Sequence, residues 1–488
     1  MPFTSSHPSI NVPAVDLPTF FFETVKSKTM ERHTTQIASG LANNAGLVRG
    51  DTLLVVLPNT VYYSAITLGV QMLGAMVTTA NPLYTVRELA NHITLSGARM
   101  VVTTNEKLAD IKAAVKHAEA AIAECHVFTI DGENSIFDIL CTDAFPQIYI
   151  NTEEEASRTI AAIVFSSGTG GKPKGIMLSH RNIVANIVQN MAAFDSDKPL
   201  CARMAATDGV PHMIAITPFF HIYGFTCHLH LHLCQGFAVV EPFCQLVQKY
   251  RARTAHITAA VRKYDLSSIV YVTSGAAPLT KELHLEAQRT LGFPVIQDYG
   301  MSETSPAGRL LPNITAKVVN DQDAEVEQGQ VGELCVRGPN IMLGYLNNPT
   351  ATAESFDSEG YLHTGDIGYI NSSGNVFITD RKKELIKYKG FQACLIDHPA
   401  VLDCAVIGVY DEKQATELPK GYIVVRPEAD KSAVIDDIQE WLSTRLRGGI
   451  ELVDAIPKSP TGKILRRVLR DRELCKCKGE VMDQLTSP

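Results

Sequence analysis

The chain has 488 residues, 45% of them hydrophobic, with 44 Lys plus Arg against 52 Asp plus Glu and a formal charge of -8 at pH 7. That length exceeds one hydrophobic core, so two or more domains are expected, and the acidic balance excludes a global field that would gather nucleic acid or an anionic membrane. The 11 cysteines are spread too thinly for a disulfide scaffold, and no window reaches the ~18 uninterrupted apolar residues of a membrane span.

From Asp51 the pattern alternates short apolar runs with helical stretches: Leu53 to Leu57, Thr60 to Leu73, Ala75 to Thr79, Thr85 to Leu95 and Met100 to Thr103. Strand-length runs alternating with helix-length ones argue for parallel α/β layers. The rhythm resumes at Ile160 to Phe165 and Ile214 to Thr217. Ile269 to Val272 precedes a helical Thr280 to Leu291, and Val295 to Asp298 leads into a turn at Tyr299-Gly300. Beyond Val331 the runs are strand-like, separated by Gly, Asn and Ser, and end near Thr379. The charged Asp380-Arg381-Lys382-Lys383-Glu384 opens a smaller final region, which places a domain boundary there and divides the chain into 1–380 and 381–488.

Ser166-Ser167-Gly168-Thr169-Gly170-Gly171-Lys172-Pro173-Lys174-Gly175 directly follows an apolar strand, the place where an α/β sheet presents ligands. Glycines let backbone N–H groups turn towards a polyanion, hydroxyls add donors and lysines add charge. Glycines alone would read as a surface turn; with two Ser, one Thr and two Lys in the same ten residues, a phosphate cradle is the stronger reading. Gly171-Lys172 suits the end of a P-loop, but that motif requires Ser or Thr where Pro173 stands and Gly where Ser166 stands, so the P-loop reading fails.

His228, His230 and His232 alternate between Cys227 and Cys234. A helix would put His228 and His232 on one face, but no carboxylate lies close by in sequence and a structural role is the expectation. Cys475 and Cys477 lack Cys-x-x-Cys spacing, and the cysteines are expected to be reduced. The start has no basic patch followed by an apolar run, and Leu485-Thr486-Ser487-Pro488 is not a peroxisomal address; a cytoplasmic protein is expected.

The loop resembles the signature of the acyl-adenylating (AMP-binding) superfamily, which includes acyl-CoA synthetases, 4-coumarate-CoA ligases, luciferases and peptide-synthetase adenylation domains. Further segments match in the same order: Pro218 to Gly224, Ser274-Gly275-Ala276-Ala277-Pro278, Tyr299-Gly300-Met301-Ser302-Glu303-Thr304, Gly332-Glu333-Leu334, Thr364-Gly365-Asp366, Asp380 to Gln392 and Pro457 to Lys463. They cover nearly the whole chain, and the 4-coumarate-CoA ligase-like branch is the nearest in character. The resemblance implies an α/β fold with a large N-terminal domain of α/β subdomains plus a small β subdomain. A small, mobile α+β C-terminal domain follows, with its hinge near Lys383.

It also implies a two-step ligase of specialised metabolism. A carboxylic acid attacks MgATP to give acyl-AMP and pyrophosphate, and the thiol of coenzyme A then takes the acyl group. On this match Ser166, Ser167, Gly168, Thr169, Gly170, Gly171, Lys172, Pro173 and Lys174 hold the β- and γ-phosphates, Glu303 helps to bind magnesium and Thr304 touches the α-phosphate. Asp366 and Arg381 meet the ribose, while Ala276, Ala277 and Tyr299 line the adenine. Lys463 is the key catalytic residue, bridging carboxylate and α-phosphate; Lys387 and Gln392 contact the adenylate. His221, Tyr223, Gly275 and Gly300 border the acyl pocket.

Plainer readings stand beside several of these. Ser302 or Thr304 could be a helix N-cap, Asp366 a turn aspartate and His221 a structural histidine. The apolar stripe Ile464, Leu465, Val468 and Leu469 could make Lys463 a helix N-terminus. The basic cluster Arg466, Arg467, Arg470 and Arg472 could meet CoA phosphates or form a solvated face.

The chain is shorter than the family pattern near Thr29 to Glu31, between Ile257 and Val261, after Ser305-Pro306, after Gln392 and near Arg445-Leu446-Arg447. The losses are expected to remove strands and helix turns. They keep two alternatives open beside the CoA ligase: adenylation with another thiol acceptor, and a catalytically impaired nucleotide-binding homologue.

Overall fold

The computed structural model describes residues 2–118, 126–166, 173–205, 212–214, 217–240, 271–274, 281–292, 294–304, 310–372, 374–382, 395, 398–411, 416–427, 434–441, 449–458, 464, 468–470 and 472–473. The chain divides into two compact units, 1–364 with 370–377 and 365–369 with 378–488.

β1 (Phe3–Thr4) is an edge strand; the first large sheet begins with β2 (Thr52–Val56). β2 pairs in parallel with β3 (Met76–Thr79) and with β4 (Met100–Thr103). β5 (Val127–Thr129) extends the β4 side and β6 (Ile160–Ser166) the β3 side, again in parallel. β7 (Lys174–Ser179) turns back antiparallel to β6, and the short β14 (Gly344–Tyr345) closes that edge.

All five residues of β2 are buried, as in a parallel strand covered on both faces. Alternation divides them between two cores. Leu53 and Val55 join the larger core with the wholly buried helix Tyr63–Met72. Leu54 and Val56 join a second core with Leu89, Ile93 and Ile111 from helices Val86–Ser96 and Leu108–His117. Thr85 and Glu88 cap the first of these helices reciprocally, and Gly97, at φ +63°, ends it in a conformation that a side chain would strain.

The segment around Thr29 to Glu31 lies inside one continuous helix, Lys28–Asn43, capped by Ser27. β8 (His212–Ile214) pairs in parallel with β9 (Ala238–Val240), and β10 (Val272–Ser274) with β11 (Val295–Gln297); helix Lys281–Leu291 lies between the latter two in sequence. β12 (Thr315–Val319), β13 (Gly332–Arg337), β15 (Leu362–Ile370) and β16 (Val376–Arg381) complete a five-stranded sheet in the order β1-β12-β13-β15-β16. Ala316, Val318, Leu334 and Val336 turn one face of it into the larger core.

In the second unit β17 (Val401–Asp411) pairs antiparallel with β18 (Thr416–Val425), which pairs in parallel with β19 (Ile450–Leu452). Val434 and Ile438 of helix Val434–Trp441 share a core with Val401, Val406 and Ile423. Ala405, Ile407 and Tyr422 point the other way, into a core with Ile456 and Leu469. This is the small α+β unit that the sequence implied.

Among the described residues no helix is long and apolar enough to cross a membrane. Cys141, Cys201, Cys227, Cys234, Cys335 and Cys404 are free thiols.

Candidate functional site

Because β2, β3 and β6 run in parallel, their C-terminal ends share one edge of the sheet, where α/β folds take their ligands. Two polar side chains there hold the segment 217–223. Asn59, just past β2, accepts from Phe219 N at 2.7 Å and donates to Thr217 O at 3.2 Å, while the Thr79 hydroxyl donates to Phe220 O at 2.7 Å. Gly224 ends the segment by necessity, since a Cβ there would lie 2.0 Å from Pro218 O.

Within that segment, Tyr223 OH donates to Asp298 Oδ2 at 2.6 Å and lies 3.3 Å from Thr273 Oγ1. Burial, and then the charge of Asp298, push the phenol pKa up. The His221 ring accepts from Tyr223 N through Nδ1 at 3.3 Å, so this histidine has at least a structural task.

Glu303 and Thr304 sit in a single 3-10 turn, Ser302–Thr304, and both are buried. The Thr304 hydroxyl donates to Met301 O at 3.1 Å and accepts from Met301 N at 3.2 Å, which closes the turn on itself. Asn340 Nδ2 donates to Thr304 O at 2.7 Å and Met342 N to Glu303 O at 2.8 Å. The Glu303 carboxylate, in a residue only 8% exposed, accepts from Tyr345 OH at 3.1 Å. Burial, and then Glu303, push the Tyr345 pKa up. Lys174 Nζ lies 4.5 Å from the centre of the Tyr345 ring, a cation–π distance. A buried acid and a cation are thus held on the hydroxyl and the ring of one tyrosine.

Lys174 reaches this position because Ser166, the last residue of β6, pairs with Lys174, the first of β7. The phosphate-loop candidate is therefore bounded by two antiparallel strands, whereas a P-loop runs from strand into helix. Pro173 is exposed; Ser167, Gly168, Thr169, Gly170, Gly171 and Lys172 lie outside the described residues.

Tyr299 is partly buried against the larger core, and Gly300 follows it. Asp366 is 2% exposed and sits within β15 rather than in a turn, one residue after Gly365 at φ +71°. The backbone of Arg381 ends β16. Gly275, Ala276, Ala277, Lys383, Lys387, Gln392 and Lys463 lie outside the described residues.

The three alternating histidines are structural. They occupy a π-helix, Gly224–Leu231, and the short helix His232–Cys234 that continues it. His230 Nδ1 bonds Phe225 O at 2.8 Å and His232 Nδ1 bonds Cys227 O at 2.5 Å, each five residues back. Burial lowers the pKa of His228 to about 3 and those of His230 and His232 to about 4. The metal-capable group among the described residues is instead Asp323, Glu333 and His363, with ligand atoms within 4.8 Å of one another. His363 Nδ1 there lies 3.2 Å from Glu333 Oε2 and 3.4 Å from Cys335 Sγ, an internally hydrogen-bonded set.

Sequence reasoning missed Tyr345, Asn340 and Asp298. Tyr345 and Glu303 are 42 residues apart, so no local pattern links them. Asp298 could have been found: it stands at a strand end beside Tyr299-Gly300.

Comparison with known proteins agrees with this organisation. A family model described as AMP-binding enzyme matches residues 20–346, and one described as AMP-binding enzyme C-terminal domain matches 391–463. The chain is 34% identical over 549 residues to probable 4-coumarate--CoA ligase 1 of Dictyostelium discoideum, covering 96% of this chain and 97% of that protein. It is 35% identical over 511 residues to 4-coumarate--CoA ligase 1 of Petroselinum crispum, covering 92% and 89%. Among solved structures, ATP-bound MatB from Rhodopseudomonas palustris is 25% identical with a TM-score of 0.74, covering 91% of this chain and 92% of that one. The first of these matches spans 549 residues against a chain of 488, so at least 61 matched positions have no counterpart here.

Proposed function

This chain belongs to the AMP-binding enzyme family, and from that premise we propose that it activates a carboxylic acid with ATP and passes the acyl group to coenzyme A. In the first step a carboxylate oxygen attacks the α-phosphorus, the bond to the bridging oxygen of pyrophosphate breaks, and acyl-AMP forms. In the second the CoA thiol loses its proton, its sulfur attacks the acyl carbon, and AMP leaves. The observation that carries the reading is the Glu303–Tyr345–Lys174 arrangement, in which a buried acid and a cation stand at either part of one tyrosine. Phosphate charge needs the cation, and a phosphate-bound magnesium ion needs the hard oxygen of the acid.

Magnesium would be held by Glu303 together with ATP oxygens, and it would neutralise charge on the departing pyrophosphate. The segment from Ser166 to Lys174 would receive the β- and γ-phosphates, and Thr304 the α-phosphate. Asp366 and Arg381 would hold the ribose, and Ala276, Ala277 and Tyr299 the adenine. His221, Tyr223, Gly275 and Gly300 would border the acyl group. Lys463, with Lys387 and Gln392, would meet the carboxylate and the adenylate. A small domain turning near Lys383, beyond a boundary at residue 380, would let one site serve both steps. A cytoplasmic setting, where ATP and CoA are both at hand, belongs to the same reading.

The names of the relatives put 4-coumarate first in a panel of aryl and aliphatic acids. The test is pyrophosphate release over that panel, with and without CoA. Acid-dependent release and a CoA thioester are expected, and Lys463→Ala should lower the first step by about 10²-fold or more, as loss of a charge aimed at the transition state does. Well-folded protein that binds ATP but stays silent with every acid would overturn the ligase and leave a nucleotide-binding homologue.

A further inference from the structure

The proposed role of Lys463 draws attention to the described residues before and after it in the chain, which are tied to the sheet of the small unit. Lys458 and Ile464 form a β-bridge, which brings the two ends of the segment together. On the near side Lys458 Nζ is 2.7 Å from Asp403 Oδ2 of β17, and Ile456 is buried in the core with Ala405 and Ile407 of β17 and Tyr422 of β18. On the far side Ile464 packs against the same core and Leu469 is buried in it.

Apolar contacts of this kind fix depth but not direction, because dispersion and burial are indifferent to angle. Direction comes from the next residues. Glu473 Oε2 lies 2.8 Å from Lys420 Nζ, and Glu473 Oε1 accepts from Tyr422 OH at 2.5 Å; both partners are on β18. Lys420 Nζ is also 3.1 Å from Glu451 Oε2 of β19, and Arg472 lies 3.0 Å from the other oxygen of Glu451. Among the described residues, two cations and two carboxylates form a network that ties the chain after Lys463 to two strands at once. Side-chain exposures of 11% for Glu473 and 15% for Lys420 remove most of the solvent screening that makes surface pairs weak. Charge-assisted, directional bonds are what hold an orientation.

We propose that Glu473 is a positioning residue for acyl-AMP formation: through Lys420 and Tyr422 it sets the direction from which the segment bearing Lys463 enters the reaction. This rests on the proposed role of Lys463. It assigns Glu473 no contact with substrate, and it separates the two half-reactions, since thioester formation from ready-made acyl-AMP does not call on Lys463.

Glu473→Gln removes the charge but keeps the size, and Lys420 retains Glu451. With 4-coumarate, or the acid of the panel that the parent turns over fastest, the maximal rate of pyrophosphate release should fall about tenfold, as expected for a displaced catalytic group. KM for ATP should stay within about twofold, and so should the rate of CoA thioester formation from supplied acyl-AMP. Tyr422→Phe, which deletes only the hydroxyl, should lower the first step about threefold and spare the second, and it serves if the glutamine variant does not fold. An unchanged first step, or an equal fall in both steps, would overturn the inference. Lys463→Ala separates the two failures: if it adenylates like the parent, the reading of Lys463 is wrong, whereas if it is inactive while both network variants behave as the parent, only the role of Glu473 is wrong.

Discussion

The two units each bury a glutamate against a tyrosine that also meets a lysine, and they use the trio differently. In the second unit Lys420 bonds Glu473 directly at 2.8 Å, lies 5.5 Å from the ring centre of Tyr422, and finds a second acid in Glu451. Burial opposes its charge, but the two carboxylates outweigh that and hold its pKa above the usual lysine value. In the first unit Lys174 meets the ring of Tyr345, and Glu303 meets its hydroxyl. A direct, charge-assisted ion pair holds structure in place. In the first unit no direct acid–lysine bond is part of the trio as described: the hydroxyl of the tyrosine bonds the acid and its ring carries the cation.

The contrast extends to buried histidines, and acid is the strongest way to break it. Burial holds His92, His180, His230 and His232 of the first unit near pKa 4 and His228 near 3, against an ordinary 6.5. Between those values and 6.5 the unfolded chain binds more protons, so stability is full above about pH 6.5 and declines as pH falls towards 4. All five act in the same direction, so acid weakens the first unit through each of them. The single tryptophan, Trp441, lies in the second unit, so its fluorescence follows that unit while far-UV circular dichroism is dominated by the first. Urea unfolding at pH 5 should lose circular dichroism before fluorescence; the reverse order would refute the assignment.

Next in size is Glu303→Gln. If the charge of Glu303 serves a ligand, pyrophosphate release should fall about 10²-fold while the melting temperature stays close to the parent's. A large loss of stability with little loss of rate would make Glu303 a structural acid.

Much of the fold was legible in the sequence because two periods govern it. Met100–Thr103 is a strand as read, and Thr85 to Leu95 is helix Val86–Ser96 to within a residue, since buried parallel strands and amphipathic helices both write their contacts locally. The antiparallel return of β7 was not legible: Gly175-Ile176-Met177-Leu178 is an apolar run that states no direction. The π-helix through His228 and His230 also escaped, because its bonds to carbonyls five residues back look like helix in any pattern of burial. The site divided the same way. Glu303 and Asp366 stood out through motif resemblance, whereas Tyr345, which joins Glu303 to Lys174, became visible only when β14 was seen beside β7.

That tyrosine supplies the smallest test and the most discriminating one. Tyr345→Phe keeps the ring on which Lys174 rests, so the cation should keep its seat, and it removes the hydroxyl that donates to Glu303 Oε1. A single hydrogen bond to a charged group contributes ~1.5–3 kcal/mol at most, and less where the freed acid gains other donors, so a fall of about three- to tenfold in pyrophosphate release is expected. The loss should shrink at high magnesium, because the hydroxyl orients a carboxylate that the ion itself can recapture. Tyr345→Leu removes the ring as well and should lose more, with a higher KM for ATP, because the seat of Lys174 goes with it. Should the phenylalanine variant match the parent at every magnesium concentration, the hydroxyl would not orient the acid. The turn that carries Glu303 would then fix it without Tyr345, and the likeness between the two glutamate–tyrosine–lysine sets would be one of composition and not of mechanism.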